Sequence, residues 1–84
     1  MECYSLQSIT IPSSVTKIYP NAFANCYSLS AIHFLPTTPP TVTNSNAFSS
    51  IPTNCIIYVP TGSLSAYTSA TNYPSSSTYT YVEE

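Results

Sequence analysis

The chain has 84 residues, enough for one small domain. Charge is scarce: Lys17 is the only lysine or arginine, and three glutamates bring the net charge to −2 at pH 7. One lysine cannot form the basic patch that binds phosphate backbones or anionic lipid surfaces, so nucleic-acid and membrane-surface partners are excluded. No run of about 18 apolar residues occurs, and we therefore expect no membrane insertion.

A repeated motif organises the chain. Residues 3–12 read CYSL-x-x-I-x-I-P, and residues 26–36 read CYSL-x-x-I-x-FLP. Self-similarity at a fixed period of 20 to 50 residues is the mark of stacked repeats. We expect a single domain over residues 1–84, with repeats at about 3–25, 26–50 and 51–60 and a C-terminal cap at 61–84. The chain starts in mid-repeat, which we interpret as the C-terminal part of a longer protein.

The first two repeats predict one short strand each. In the first strand Leu6, Ile9 and Ile11 point inward and Pro12 ends the run, because proline cannot donate to a ladder. Residues 13–25 predict a turn and then a short helical turn that places Phe23 in the interior. The second strand has Ile32 and Phe34 inward and His33 outward. The proline-rich residues 36–46 predict an extended, irregular loop.

The third repeat is degenerate but recognisable. Ala47-Phe48 restates Ala22-Phe23, and residues 55–60 restate the strand with Ile57 and Val59 inward. Residues 63–70 then predict a short amphipathic helix, capped by Thr61 or Ser63, that covers the end of the core. The alternating residues 78–82 predict a fourth strand with Tyr79 beside Ile57, after which Glu83 and Glu84 fray into solvent.

The candidate binding residues lie on the open face of this predicted sheet. Residues between the inward positions form ladders from strand to strand. One ladder is Thr10, His33, Tyr58 and Thr80, and the second is Ser8, Ala31 and Ile56. These residues either form a binding surface or are ordinary solvent-facing strand residues. The tyrosines likewise either stack on sugar rings or pack at the rim of the core with the hydroxyl in water.

Catalysis and cofactors are not expected. All three acids lie at the termini, so no internal acid is available to orient His33, and one glycine cannot form a phosphate loop. The three cysteines are expected to be small buried side chains, with a Cys3–Cys26 disulfide as the alternative. A metal site is not expected, because only His33 could join the cysteines and no C-x-x-C spacing exists.

The motif C-x-S-L-x-x-I-x-I-P-x-S-V-x-x-I-x-x-x-A-F-x-N-C, at residues 3–26, resembles the BspA-like type of bacterial surface leucine-rich repeat. The tail is similar as well, with its Pro-Pro loop, the strand ending at Val59-Pro60, and Gly62-Ser63-Leu64. The resemblance implies an α/β leucine-rich-repeat solenoid with one short parallel strand per coil. It also implies a non-enzymatic, extracellular or surface-attached protein of bacteria that serves adhesion or the binding of proteins or glycans.

A structural role is the alternative to ligand binding. The first strand begins at an end where Leu6, Ile9 and Phe23 would face nothing, and open strand edges invite pairing with another chain. We therefore also consider a spacer or self-assembly unit that forms homo-oligomers through this edge. The hydroxyl-rich composition, with 15 serines and 12 threonines, favours an extracellular location under either hypothesis.

Overall fold

The computed structural model describes residues 7–18, 23, 27–43, 47–48 and 51–84. These residues form two parallel sheets and one short helix. In chain order the elements are β1 (Ser8–Ile11), β2 (Lys17–Ile18), β3 (Ala31–Phe34), β4 (Thr41–Val42), β5 (Ile56–Val59), α1 (Leu64–Thr68) and β6 (Thr80–Glu83).

The main sheet has the order β1-β3-β5-β6, and every pair in it is parallel. Ile9 pairs with Ile32, and Ile32 pairs with Ile57, which confirms the predicted column of isoleucines. Each strand returns to its neighbour through a crossover connection, as parallel pairing demands. The arrangement is a repeat fold in which each repeat contributes one strand to the same sheet.

A second sheet pairs β2 with β4, with Lys17 opposite Thr41 and Ile18 opposite Val42. The sequence pattern did not predict this sheet. Residues 13–18 contain the predicted turn and also β2, and the loop predicted at 36–46 contains β4. The helical turn expected around Phe23 lies, apart from Phe23 itself, outside the described residues. Each of the two strands is a single dipeptide, which is too short for alternation to be visible in the sequence.

The last strand, β6, pairs with β5 in a register that differs from the predicted one. Tyr81, not Tyr79, pairs with Ile57, and Glu83 pairs with Val59. The amide of Tyr79 donates instead to the carbonyl of Ser75 in a turn, which delays the start of the strand. The connection from β5 to β6 is therefore longer than the sequence predicted.

The core lies between the main sheet and the crossover segments. Phe34 is fully buried, and its ring contacts the rings of Phe48, Tyr67 and Tyr73 at centroid distances of 6.5, 5.0 and 5.7 Å. Phe23 is also buried and stacks on Phe48 at 5.0 Å, so these two equivalent residues pack as the repeat pattern predicted. Aromatic contacts between successive repeats therefore hold the crossovers against the sheet.

The predicted capping helix is shorter than expected and lies in the connection from β5 to β6. Tyr67 is its buried side chain, whereas Leu64 is exposed, so only one of the two expected contacts forms. Ser63 occupies the N-cap position, but its hydroxyl donates to the carbonyl of Thr37 instead of capping the helix. The helix thus joins two repeats through hydrogen bonds as well as through packing.

Four buried or half-buried tyrosines each donate a hydroxyl hydrogen bond of 2.6–2.7 Å to a backbone carbonyl: Tyr67 to Pro36, Tyr73 to Pro40, Tyr79 to Ile51 and Tyr81 to Pro74. Three of the four acceptors are proline carbonyls, and all four lie in irregular segments whose carbonyls have few backbone partners. Three of these phenols therefore anchor the C-terminal third of the chain to earlier loops, and Tyr81 holds a turn within that third.

Cys55 is buried with a free thiol, and burial raises the pKa of this thiol to about 11. Its packing agrees with the expectation of a small buried side chain. Cys3 and Cys26 lie outside the described residues, as does Leu6. Within the described part of the chain, no helix has the length and hydropathy needed to cross a membrane.

Candidate functional site

The open face of the main sheet brings three of the four predicted site residues into one ladder. Thr10 pairs with His33, and His33 pairs with Tyr58. The fourth position is wrong in the sequence analysis, because Val82 and not Thr80 lies opposite Tyr58. Thr80 instead continues the second ladder, opposite Ile56. The shifted register of β6 is the reason.

The imidazole of His33 and the phenol ring of Tyr58 are stacked face to face. Their centroids lie 4.6 Å apart and their planes differ by 4°. In-register strands place the two side chains next to each other, and the parallel rings restrict each other's rotamers. The two stacked rings therefore have a defined orientation, and their neighbours on the ladder, Thr10 and Val82, have smaller side chains.

Glu84 completes the cluster. Its Oε1 lies 2.9 Å from Nδ1 of His33, and the side chains of Glu84 and His33 are 41% and 32% exposed. A carboxylate only accepts hydrogen bonds, so Nδ1 carries the proton and Nε2 is left to a ligand or to water. The pair is partly exposed, and its contribution to stability is accordingly small.

The expectation that Glu83 and Glu84 fray into solvent is wrong. The amide of Glu84 donates to the carbonyl of Val59, and its own carbonyl accepts a hydrogen bond from the hydroxyl of Thr61. A side-chain oxygen of Glu83 accepts from the amide of Gly62 at 3.0 Å. These three bonds extend the pairing of β5 and β6 and hold Glu84 where it can contact His33.

Apolar side chains surround the cluster. Ile56 and Ala31 are half-buried on the neighbouring ladder, and Val82 is 37% exposed beside Tyr58. The open face is thus a mixed surface with an aromatic pair, a hydrogen bond between a histidine and a carboxylate, and aliphatic groups that are half-buried or exposed.

The site has no complete catalytic arrangement among the described residues. His33 does have an acid partner, which the sequence analysis did not anticipate. No described serine, threonine or cysteine, however, forms a hydrogen bond with its imidazole. The described residues also contain no group of three histidine, cysteine or acidic side chains that could hold a metal ion. What the cluster can do chemically is donate and accept hydrogen bonds and offer aromatic contact.

Sequence reasoning missed Glu84 and Val82 as members of this face. The alternation Thr80, Val82, Glu84 was visible, since every second residue of a strand lies on the same face. A register set by Tyr81 instead of Tyr79 would have placed both residues beside Tyr58 and Pro60. The alternation was therefore visible in the sequence, but the register in which β6 pairs with β5 was not.

Comparison with known proteins gives one result for the family. The family model described as "BspA type Leucine rich repeat region (6 copies)" matches residues 1–83. Comparisons with curated proteins and with solved structures find no match. The family match covers nearly the whole chain and agrees with the parallel, one-strand-per-repeat sheet described above. The chain belongs to the BspA-type leucine-rich repeat family.

Proposed function

We propose that this chain is a non-enzymatic adhesion module of a bacterial surface or secreted protein, and that it binds a protein partner through the open face of the main sheet. In this proposal the coils stack as a solenoid, with residues 61–84 as its C-terminal cap. Family membership supports a repeat module for protein binding. The further steps, to adhesion and to a surface location, follow from the family resemblance and from the hydroxyl-rich composition.

One observation carries the choice of site. The stack of His33 on Tyr58, together with the 2.9 Å contact from Glu84, fixes two aromatic side chains on an exposed face. Fixed side chains lose little conformational entropy when a partner binds, so they are effective binding residues. Ordinary solvent-facing strand residues do not need such a network.

The neighbours of the cluster favour a protein over a glycan on this face. The stack covers one ring face of Tyr58 and one of His33, which leaves less flat aromatic surface for a sugar ring. The exposed aliphatic side chain of Val82 lies opposite Tyr58, and half-buried Ile56 lies on the neighbouring ladder. Protein interfaces are rich in aromatic residues, and the pair of His33 and Tyr58 with aliphatic neighbours fits that composition.

Alanine substitutions at the stack are the direct test. We expect His33→Ala and Tyr58→Ala each to weaken binding of a purified partner by about 30-fold or more, as for central interface residues. The partner is first identified on an array of purified host extracellular proteins and glycans, and its Kd is then measured by surface plasmon resonance. Thr53→Ala, at an exposed turn outside the strands, is the matched control and should bind like the wild type.

Two results would contradict this proposal. One is a partner whose Kd is the same for all three variants while their circular dichroism spectra show an intact fold. The other is an array on which the wild-type chain binds no protein. A glycan that binds in a Tyr58-dependent manner would keep the site but overturn the choice of a protein as its ligand.

Self-assembly remains the second candidate function, and β1 favours it. Among the described residues β1 pairs only with β3, and Ile9 within it is half-buried. Phe23, which was expected to lie open at this end, is instead buried. The apolar surface available for association is therefore smaller than the sequence analysis assumed.

For a self-assembling chain, light scattering after size exclusion should give a mass that rises with concentration, because edge strands pair between copies. Replacing Thr10, on the face of β1, with lysine tests the same idea, since a charge on an edge strand opposes such pairing. A constant monomer mass up to millimolar concentration would eliminate this candidate.

A further inference from the structure

A groove of about 390 Å³ lies between the first two repeats, away from the His33 cluster. It opens where the chain leaves the main sheet, between the turn at residues 13–16 and the loop at residues 35–41. Its two ends are closed by backbone hydrogen bonds, from Leu35 to Ile11 at 3.0 Å and from Thr41 to Thr16 at 2.9 Å. The volume is within the range of small-molecule sites, about 300–1,000 Å³.

The groove has a physical cause in the repeat register. Ile11 pairs with Phe34 in the main sheet, and Lys17 pairs with Thr41 in the second sheet. The stretch from Phe34 to Thr41 is longer by a single residue than the stretch from Ile11 to Lys17. The extra residue cannot be taken up by pairing the two loops, because the prolines of the second loop have no amide hydrogen. The loops consequently diverge between the two fixed ends.

The lining combines hydroxyl groups with apolar surface and carries no charge. Five of the lining residues carry a side-chain hydroxyl, and none of these hydroxyls forms a hydrogen bond with a described residue: Ser13, Thr16, Thr37, Thr38 and Thr41. The tyrosine hydroxyls of the C-terminal third differ, since each already donates to a carbonyl. The remaining walls are aliphatic, from half-buried Val15, exposed Leu35 and the prolines.

A second groove of about 260 Å³ adjoins the first. The segment Pro39–Thr41 lines both grooves, and Thr71 and Tyr73 line the far side of the second. The hydroxyl of Tyr73 donates to the carbonyl of Pro40, which fixes this shared wall. Two adjoining concavities on either side of one rigid segment suit a ligand longer than a single ring.

We propose that these grooves bind a neutral saccharide. Sugar hydroxyls can exchange hydrogen bonds with the threonine hydroxyls, and the aliphatic walls can contact the C–H faces of the rings. A charged ligand would lose hydration without meeting an opposite charge in the lining. A purely apolar ligand would leave the hydroxyls without partners where it displaces water. The site is separate from the open face and does not depend on the function proposed for it.

Nuclear magnetic resonance titration tests the proposal with maltotriose, cellotriose and triacetylchitotriose as probes. We expect at least one of these trisaccharides to give saturable amide shifts at Ser13, Thr16, Leu35, Thr37, Thr38 and Thr41. The amides of His33 and Tyr58 should not shift. Absence of saturable shifts with all three probes would overturn the proposal, as would shifts confined to the open face.

Valine variants then test the lining. We expect Thr16→Val and Thr38→Val each to weaken binding of the saccharide about 2- to 12-fold, which corresponds to one lost hydrogen bond. Thr53→Val, outside both grooves, should bind like the wild type. Tyr58→Ala should also leave saccharide binding unchanged, even where it abolishes protein binding, and so separates the two sites. Wild-type affinity in both groove variants would refute the assignment of this lining.

Discussion

Replacing Phe34 with alanine is expected to lower the free energy of unfolding by about 3–5 kcal/mol, the usual cost of deleting a buried phenylalanine side chain. Phe34 is fully buried at the end of β3, and three aromatic rings from two later segments contact it. Two of those rings are held by hydrogen bonds of Tyr67 and Tyr73 to loop carbonyls, so they cannot easily collapse into the vacated space. The cavity left by the substitution should therefore persist and add substantially to the loss in the free energy of unfolding.

Such a loss is serious for a domain of this size. At roughly 0.05–0.15 kcal/mol per residue, a chain of this length has a total stability of about 4–13 kcal/mol. Urea denaturation followed by near-ultraviolet circular dichroism measures the change. Leu35→Ala is the matched control, because Leu35 is the next residue and is 47% exposed. Its effect should stay within about 0.5 kcal/mol. Equal effects at the two positions would show that Phe34 is not in the core.

Alkaline pH is expected to unfold the chain through its buried tyrosines. Burial raises the pKa of Tyr67 from 10.0 to about 12 and also raises the pKa values of Tyr73, Tyr79 and Tyr81. For Tyr73 the neighbouring phenols Tyr67 and Tyr81 add to this effect, and for Tyr79 the neighbouring thiol of Cys55 does. A phenolate can no longer donate to a carbonyl, so ionisation also breaks the anchoring hydrogen bonds.

The direction of the pH dependence follows from these shifts. The unfolded phenols lose their protons near pH 10, while the folded ones keep them, so unfolding releases protons in this range. The contribution of the phenols is complete below pH 10 and falls as the pH rises toward and beyond 12. For Tyr67 the loss is about 2–3 kcal/mol. Urea midpoints measured from pH 8 to pH 12 should decline steeply above pH 10.

Tyr67→Phe provides the internal comparison for this titration. At pH 8 the variant should be less stable by about 1–3 kcal/mol, because the carbonyl of Pro36 loses its buried donor. Above pH 10 the difference in the free energy of unfolding between the variant and the wild type should narrow, since phenylalanine has no proton to lose. A constant gap from pH 8 to pH 12 would show that Tyr67 does not cause the alkaline transition.

The first three strands of the main sheet could be predicted because their isoleucines recur at a nearly constant spacing and alternate with other residues. Periodicity of this kind reports directly which side chains share an interior. β6 was harder. Tyr79 and Tyr81 alternate in the same way, so the pattern allows either tyrosine to pair with Ile57. The choice between them depends on the number of residues in α1 and the turn that follows it. That number depends on how Tyr67 and Tyr79 pack, which the sequence pattern does not show.

The contact of Glu84 with His33 could not be predicted for a related reason. The residues are far apart in the sequence and meet only because β5 and β6 pair up to the end of the chain. The groove at residues 13–16 and 35–41 could not be predicted either, although the prolines of its second loop predict an irregular segment. The groove depends on a difference of one residue between two stretches, and that difference can be recognised only when the pairing at both ends of the stretches is known. The pairing of β2 with β4 could not be predicted, because strands of two residues show no alternation in the sequence.

The regular spacing of the main-sheet pairs has a consequence for how the chain folds. Each strand pairs with the strand of the next repeat, and no pairing requires the two ends of the chain to meet. The entropy of loop closure is then nearly the same at every step, since it grows only slowly with loop length. We therefore expect refolding to be limited by the pairing of the first two repeats, after which the remaining repeats add one at a time.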